Sequence, residues 1–187
     1  MKTTPYLTLL LFFALSCSTS KHISTIVSST YDEVSNQTTY SVLPFGSVVM
    51  PGEWTKTNYN DVSNQQNFLS AESIPAAIAI NQASFYPFYK PHLTSHELVR
   101  AMYQWDAQYF AEQLGAKTPI LLEDTTNHFI LWQILSEPKG IDNYYLFGCE
   151  NGIIFTVYIH TTKWDLKEKM NFLQTVYRSK TVGNCCN

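Results

Sequence analysis

The chain has 187 residues, 45% of them hydrophobic, 14% aromatic and 14% charged, with a formal net charge of −3. That apolar content excludes an intrinsically disordered chain, and the acidic excess gives a nucleic-acid backbone no electrostatic reason to bind, so no nucleic-acid partner is expected. Twelve Tyr and eleven Phe favour a sheet-rich domain, and the length suits one domain with its own core.

The N-terminus reads as an address. Lys2 supplies a positive charge, residues 7–15 are apolar, and Ala14-Leu15-Ser16 leads into Cys17. The segment resembles a bacterial lipoprotein signal, in which the cysteine after the cut is acylated. The resemblance implies a signal peptide over 1–16, lipidation of Cys17, export to the bacterial cell envelope and attachment to a membrane through the lipid. No later apolar run approaches the ~20 residues of a spanning helix. Residues 17–29 are rich in Ser and Thr and read as a tether. Residues 30–180 follow as a single domain, and residues 181–187 as a tail carrying Cys185 and Cys186.

Within the domain, residues 30–34 and 38–43 flank Ser35-Asn36-Gln37 and predict a hairpin, and residues 47–50 continue as strand until Pro51-Gly52 turns the chain. Residues 60–64 are a polar loop, with strands predicted at 66–70 and 76–83. The pair Thr94 and Glu97 forms a capping box. Behind it, Leu98, Met102, Trp105 and Tyr109 recur on one stripe, widened by Val99, Tyr103 and Phe110, and Gly115 ends the helix. Asp106 is expected on the solvated side. Strands at 119–123 and 128–135 follow, the second apolar on both faces.

Asn151-Gly152 suits the two positive-φ positions of a tight hairpin turn and fixes a register of Glu150 opposite Ile153, Cys149 opposite Ile154, Phe147 opposite Thr156 and Leu146 opposite Val157. Residues 162–178 form a closing helix with Leu166, Met170, Leu173 and Tyr177 on its stripe. The order predicts an α+β domain, an antiparallel sheet with two main helices packed on it.

The run Ser47-Val48-Val49-Met50-Pro51-Gly52-Glu53-Trp54, a closing strand over 153–160, and Lys163-Trp164 before a helix ending at Tyr177 are similar to the start and finish of domains in the PsbP and DcrB superfamily of α/β/α sandwiches. That superfamily holds photosystem assembly factors, envelope lipoproteins, Ran-binding factors and secretion-effector chaperones. The resemblance spans roughly residues 38–180 and implies a non-catalytic scaffold that binds an envelope protein partner. A small-molecule or lipid carrier with an aromatic-lined pocket is the first alternative, and an enzyme with an unrecognised site the second.

The chemistry-bearing residues are sparse. No strained nucleophile turn, phosphate-cradling loop or zinc motif occurs, so no catalytic residue, metal or cofactor is expected. His92 and His96 are four apart, but the capping box leaves His92 outside the helix, and the two do not share a helical face. Export permits a disulfide from Cys149 to Cys185 or Cys186. The alternative is that Cys149 is simply a small buried side chain. The loop over 85–92 concentrates Phe85, Tyr86, Phe88 and Tyr89, which are expected either to anchor a partner or to cover the open end of the sheet beneath the first helix.

Overall fold

The computed structural model describes residues 24–183, so the leader, Cys17, Cys185 and Cys186 lie outside it. Its elements are β1 (Ile26–Asp32), β2 (Gln37–Leu43), β3 (Gly46–Pro51), β4 (Trp54–Asn60), β5 (Gln65–Ser70), β6 (Pro75–Gln82), α1 (Ser95–Leu114), β7 (Ile120–Asp124), β8 (Phe129–Ser136), β9 (Ile141–Glu150), β10 (Ile153–Ile159), α2 (Leu166–Arg178) and β11 (Thr181–Val182). The strands form two antiparallel sheets. One has the order β4-β5-β6-β10-β9-β8-β7 and the other β1-β2-β3-β11. The α+β class with two packed helices is the observed one, although the expected single sheet is divided.

Two boundaries are corrected. β1 begins at Ile26, inside the expected tether, because residues 26–32 pair in register with Leu43 back to Gln37. Thr181 and Val182, expected in the tail, pair with Ser47 and Gly46, held by a 2.6 Å contact between the Ser47 and Thr181 hydroxyls. β4 carries no strand signal in the sequence. It is an edge strand exposed beyond Trp54, so it lacks the inside-outside alternation that betrays a half-buried strand.

Local signals place the remaining elements. Thr94 accepts from the Glu97 amide while Glu97 accepts from the Thr94 amide, and Gly115 closes α1 at φ 61°. Asn151 and Gly152 take φ of 50° and 74°, and the β9–β10 pairing matches the register expected from that turn. Asp165 and Glu168 form a second capping box, so α2 starts at Leu166 and its buried side is Lys169, Phe172, Leu173, Val176 and Tyr177. That face is rotated from the expected stripe, and Leu166 remains 47% exposed.

The seven-stranded sheet divides the core. On one side Leu131, Leu146, Phe155, Val157 and Ile159 join the four-stranded sheet's Tyr40, Val48 and Met50 and the inner side of α2. On the other, α1 covers Ile130, Trp132, Phe147, Cys149 and Ile154 through Leu98, Val99 and Met102. Period-two alternation puts neighbouring residues of each strand into opposite cores, which explains why β8 is apolar on both faces.

Candidate functional site

α1 lies mainly over β8 and β9 and leaves the β4–β6 half of that sheet face without a helix. The register explains what this opens. One row across the sheet runs Gln65, Ala79, Thr156, Phe147, Ile130. Beneath α1 the row carries Phe147 and Ile130, which fill the space to the helix. Beyond it the row shrinks to Thr156 and Ala79, and a groove of about 510 Å³ lies over these small side chains. Its other lining includes Asn81, Tyr86, Trp105, Asp106, Tyr109 and Tyr145.

The walls are fixed to the floor. Asn81, only 4% exposed, donates from Nδ2 to the Ser63 carbonyl at 3.1 Å and to the Tyr86 hydroxyl at 3.0 Å, tying the β4–β5 loop and the aromatic loop to β6. Tyr86 stacks on Phe88 with ring centroids 5.1 Å apart, and both rings lean on Trp105 at 6.3 and 5.9 Å. Desolvation pushes the Tyr86 phenol up to about 12 despite its bond from Asn81. The opposite wall is a continuous aromatic cluster: Phe110 lies 6.4 Å from Tyr145, which stacks on the buried Trp132 at 5.2 Å.

The four predicted loop aromatics therefore divide. Phe85 is 57% exposed and, with Tyr86, lines the groove. Phe88 and Tyr89 are half-buried against the α1-side core and do not line the groove. Trp105 and Tyr109, placed in the core by their helical spacing, are 47% and 57% exposed, because the stripe continues past the sheet residues that would bury it.

Asp106 is the other departure from the expected placement. It points into the groove rather than lying on a solvated face, and its carboxylate has no hydrogen-bond or ion-pair partner among the described residues. Burial holds its pKa up at about 6 against an ordinary 3.8. A raised acid favours the fold while protonated. That contribution is complete below about pH 3.8 and is lost as pH rises through about 6. Asp106→Asn should therefore match the wild type near pH 4 and exceed its unfolding free energy by about 1–3 kcal/mol at pH 8, read from urea unfolding at the two pH values. A difference that does not change with pH would contradict this environment for Asp106.

The remaining candidates lie elsewhere. Cys149 has no disulfide partner among the described residues and is fully buried beneath α1; as a thiol it is raised by desolvation to about 11, which keeps it protonated and a poor nucleophile. β11 leaves from the other sheet, and the cysteines of the proposed disulfide lie beyond the described residues. His96 pairs with Glu123 at 2.8 Å rather than with His92, and Arg100 holds the same carboxylate by two bonds of 2.8 and 2.7 Å, fastening the start of α1 to β7. No cluster of three His, Cys, Asp or Glu able to hold a metal occurs among the described residues. No helix among them is long and apolar enough to cross a membrane.

No protein-family model matches the sequence, and no curated protein matches it. Among solved structures the chain is similar to the solution structure of cyanobacterial PsbP (CyanoP) from Synechocystis sp. PCC 6803, with 10% identity and a TM-score of 0.49 over 90% of this chain and 98% of that one.

Proposed function

We propose that this protein is a non-catalytic binding protein of the bacterial cell envelope, a lipoprotein of the PsbP and DcrB superfamily anchored through Cys17, and that the groove between α1 and the sheet receives a small molecule. The observation that carries the choice of a small molecule over an envelope protein partner is concavity. A volume of about 510 Å³ lies in the range of ligand sites, about 300–1,000 Å³, whereas a protein-docking surface is ordinarily flatter and broader. The site is also braced, since Asn81 joins two walls and the floor through its own hydrogen bonds.

Native mass spectrometry of the protein released gently from its own envelope tests this reading: a bound small molecule is expected on the wild type and its loss on Trp105→Ala. Trp105 is half-exposed, so the variant should unfold within about 1 kcal/mol of wild type. Co-purification of a protein that survives Trp105→Ala, with no small molecule, would favour the scaffold reading instead. Anchoring is tested separately. Cys17→Ser should move the protein from the membrane to the soluble fraction with its fold unchanged, since the acyl chains would supply the attachment at about 0.8 kcal/mol per buried CH₂.

A further inference from the structure

The groove is electrically one-sided. Among the described residues that line it there is no Lys, Arg or His, and Asp106 is the one carboxylate. The position of Asp106 on α1 places Tyr109 and Phe110 three and four residues ahead, on the same side of the helix, and all three line the groove. The Tyr86 phenol from the loop and the Tyr145 phenol from β9 both sit close enough to feel the Asp106 charge. A carboxylate is thus held, without a partner among the described residues, amid aromatic rings contributed by three separate parts of the fold.

That arrangement selects by charge. An anionic ligand such as a phosphate ester or a fatty-acid carboxylate would meet Asp106 with no cation to offset it, and both Nδ2 hydrogens of Asn81 already serve Ser63 and Tyr86. A neutral apolar ligand would fill the volume but give the carboxylate no charge partner, so Asp106 would have to take up a proton to accommodate it. A cation resolves both difficulties, because it pairs with the carboxylate while the negative faces of the rings attract it.

Resting on the reading of the groove as a small-molecule site, we propose that its occupant is a small organic ammonium ion, seated with its cationic head at Asp106 among Tyr86, Tyr109 and Tyr145 and its apolar body toward Trp105. The enclosure favours a free molecule over a lysine presented by a protein: the β4–β5 loop and the aromatic loop wall the site, and its single carboxylate matches a single cationic head.

The test uses three probes of one chain length, hexylammonium, 1-hexanol and hexanoate, titrated at pH 7.5 into the folded domain while the Trp105 indole N–H resonance is followed by NMR. Hexylammonium should bind about tenfold or more tightly than either of the others. Asp106→Asn should remove that preference while leaving 1-hexanol binding within about twofold. Equal binding of hexylammonium and 1-hexanol would overturn the ammonium assignment and leave the groove reading standing, whereas no response to any of the three would overturn both. A capped pentapeptide with one central lysine serves as a further arm, and tighter binding of it than of hexylammonium would overturn the free small molecule as occupant.

Discussion

Trp132→Ala should destabilise the domain by about 3–5 kcal/mol, the cost of emptying a fully enclosed indole site. Trp132 is 0% exposed and joins α1 to the sheet: its ring stacks on Tyr145 at 5.2 Å, meets Tyr103 edge-on at 5.4 Å, and lies 5.2 Å from Phe147 and 6.2 Å from Phe110. Its Nε1 has no hydrogen-bond partner among the described residues, so the loss comes from packing. Because Tyr145 and Phe110 also line the groove, the substitution should loosen the site as well. Urea unfolding gives the answer, and a loss below about 1 kcal/mol would mean that α1 is not seated on the sheet as described.

Gly148→Val should be comparably severe, by an opposite mechanism. Gly148 leaves a gap on β9 into which the Tyr177 ring of α2 projects, and any Cβ there would fall inside that ring. The ring cannot step aside. Its hydroxyl donates to the Asn127 carbonyl at 2.9 Å, Phe129 and Phe155 hold it edge-on at 5.5 and 6.1 Å, and the Lys180 ammonium lies 4.1 Å from its centroid. Overpacking of this kind costs about 1–3 kcal/mol or more, and displacing both the ring and its hydrogen bond puts Gly148→Val at about 3 kcal/mol or above. Combining it with Tyr177→Ala should cost less than the sum of the two single changes, because the smaller side chain clears the space. Strict additivity would contradict the contact.

The parts of the fold legible in the sequence are those set by local chemistry. Asn151-Gly152 carries its own turn geometry, and the β9–β10 register follows by counting. The Thr94 and Glu97 pair is complete within one helical turn. Periodicity failed where burial depends on a distant layer. The stripe through Leu98, Met102, Trp105 and Tyr109 reports which side of α1 is apolar, but not that the sheet beneath it changes from Phe147 to Thr156 and Ala79 before the helix ends. That same failure marks the groove: residues written as core and left exposed, Trp105 and Tyr109, stand beside an acid within an apolar stretch. Asp106 between Trp105 and Tyr109-Phe110 is the available signal, and only the register across five strands shows what it faces. β4 escaped for a simpler reason, since Thr-Lys-Thr-Asn exposes both faces at a sheet edge.

The most direct test of the account is where a ligand lands. With backbone amides assigned, an extract of small molecules from the native cells should be added to the folded domain and the shift changes mapped. Changes confined to Ala79, Asn81, Trp105, Asp106, Tyr145 and Thr156 are the expected result. Changes centred instead on the depression of about 700 Å³ over Leu166, Met170 and Gln174 of α2, with the groove silent, would contradict it.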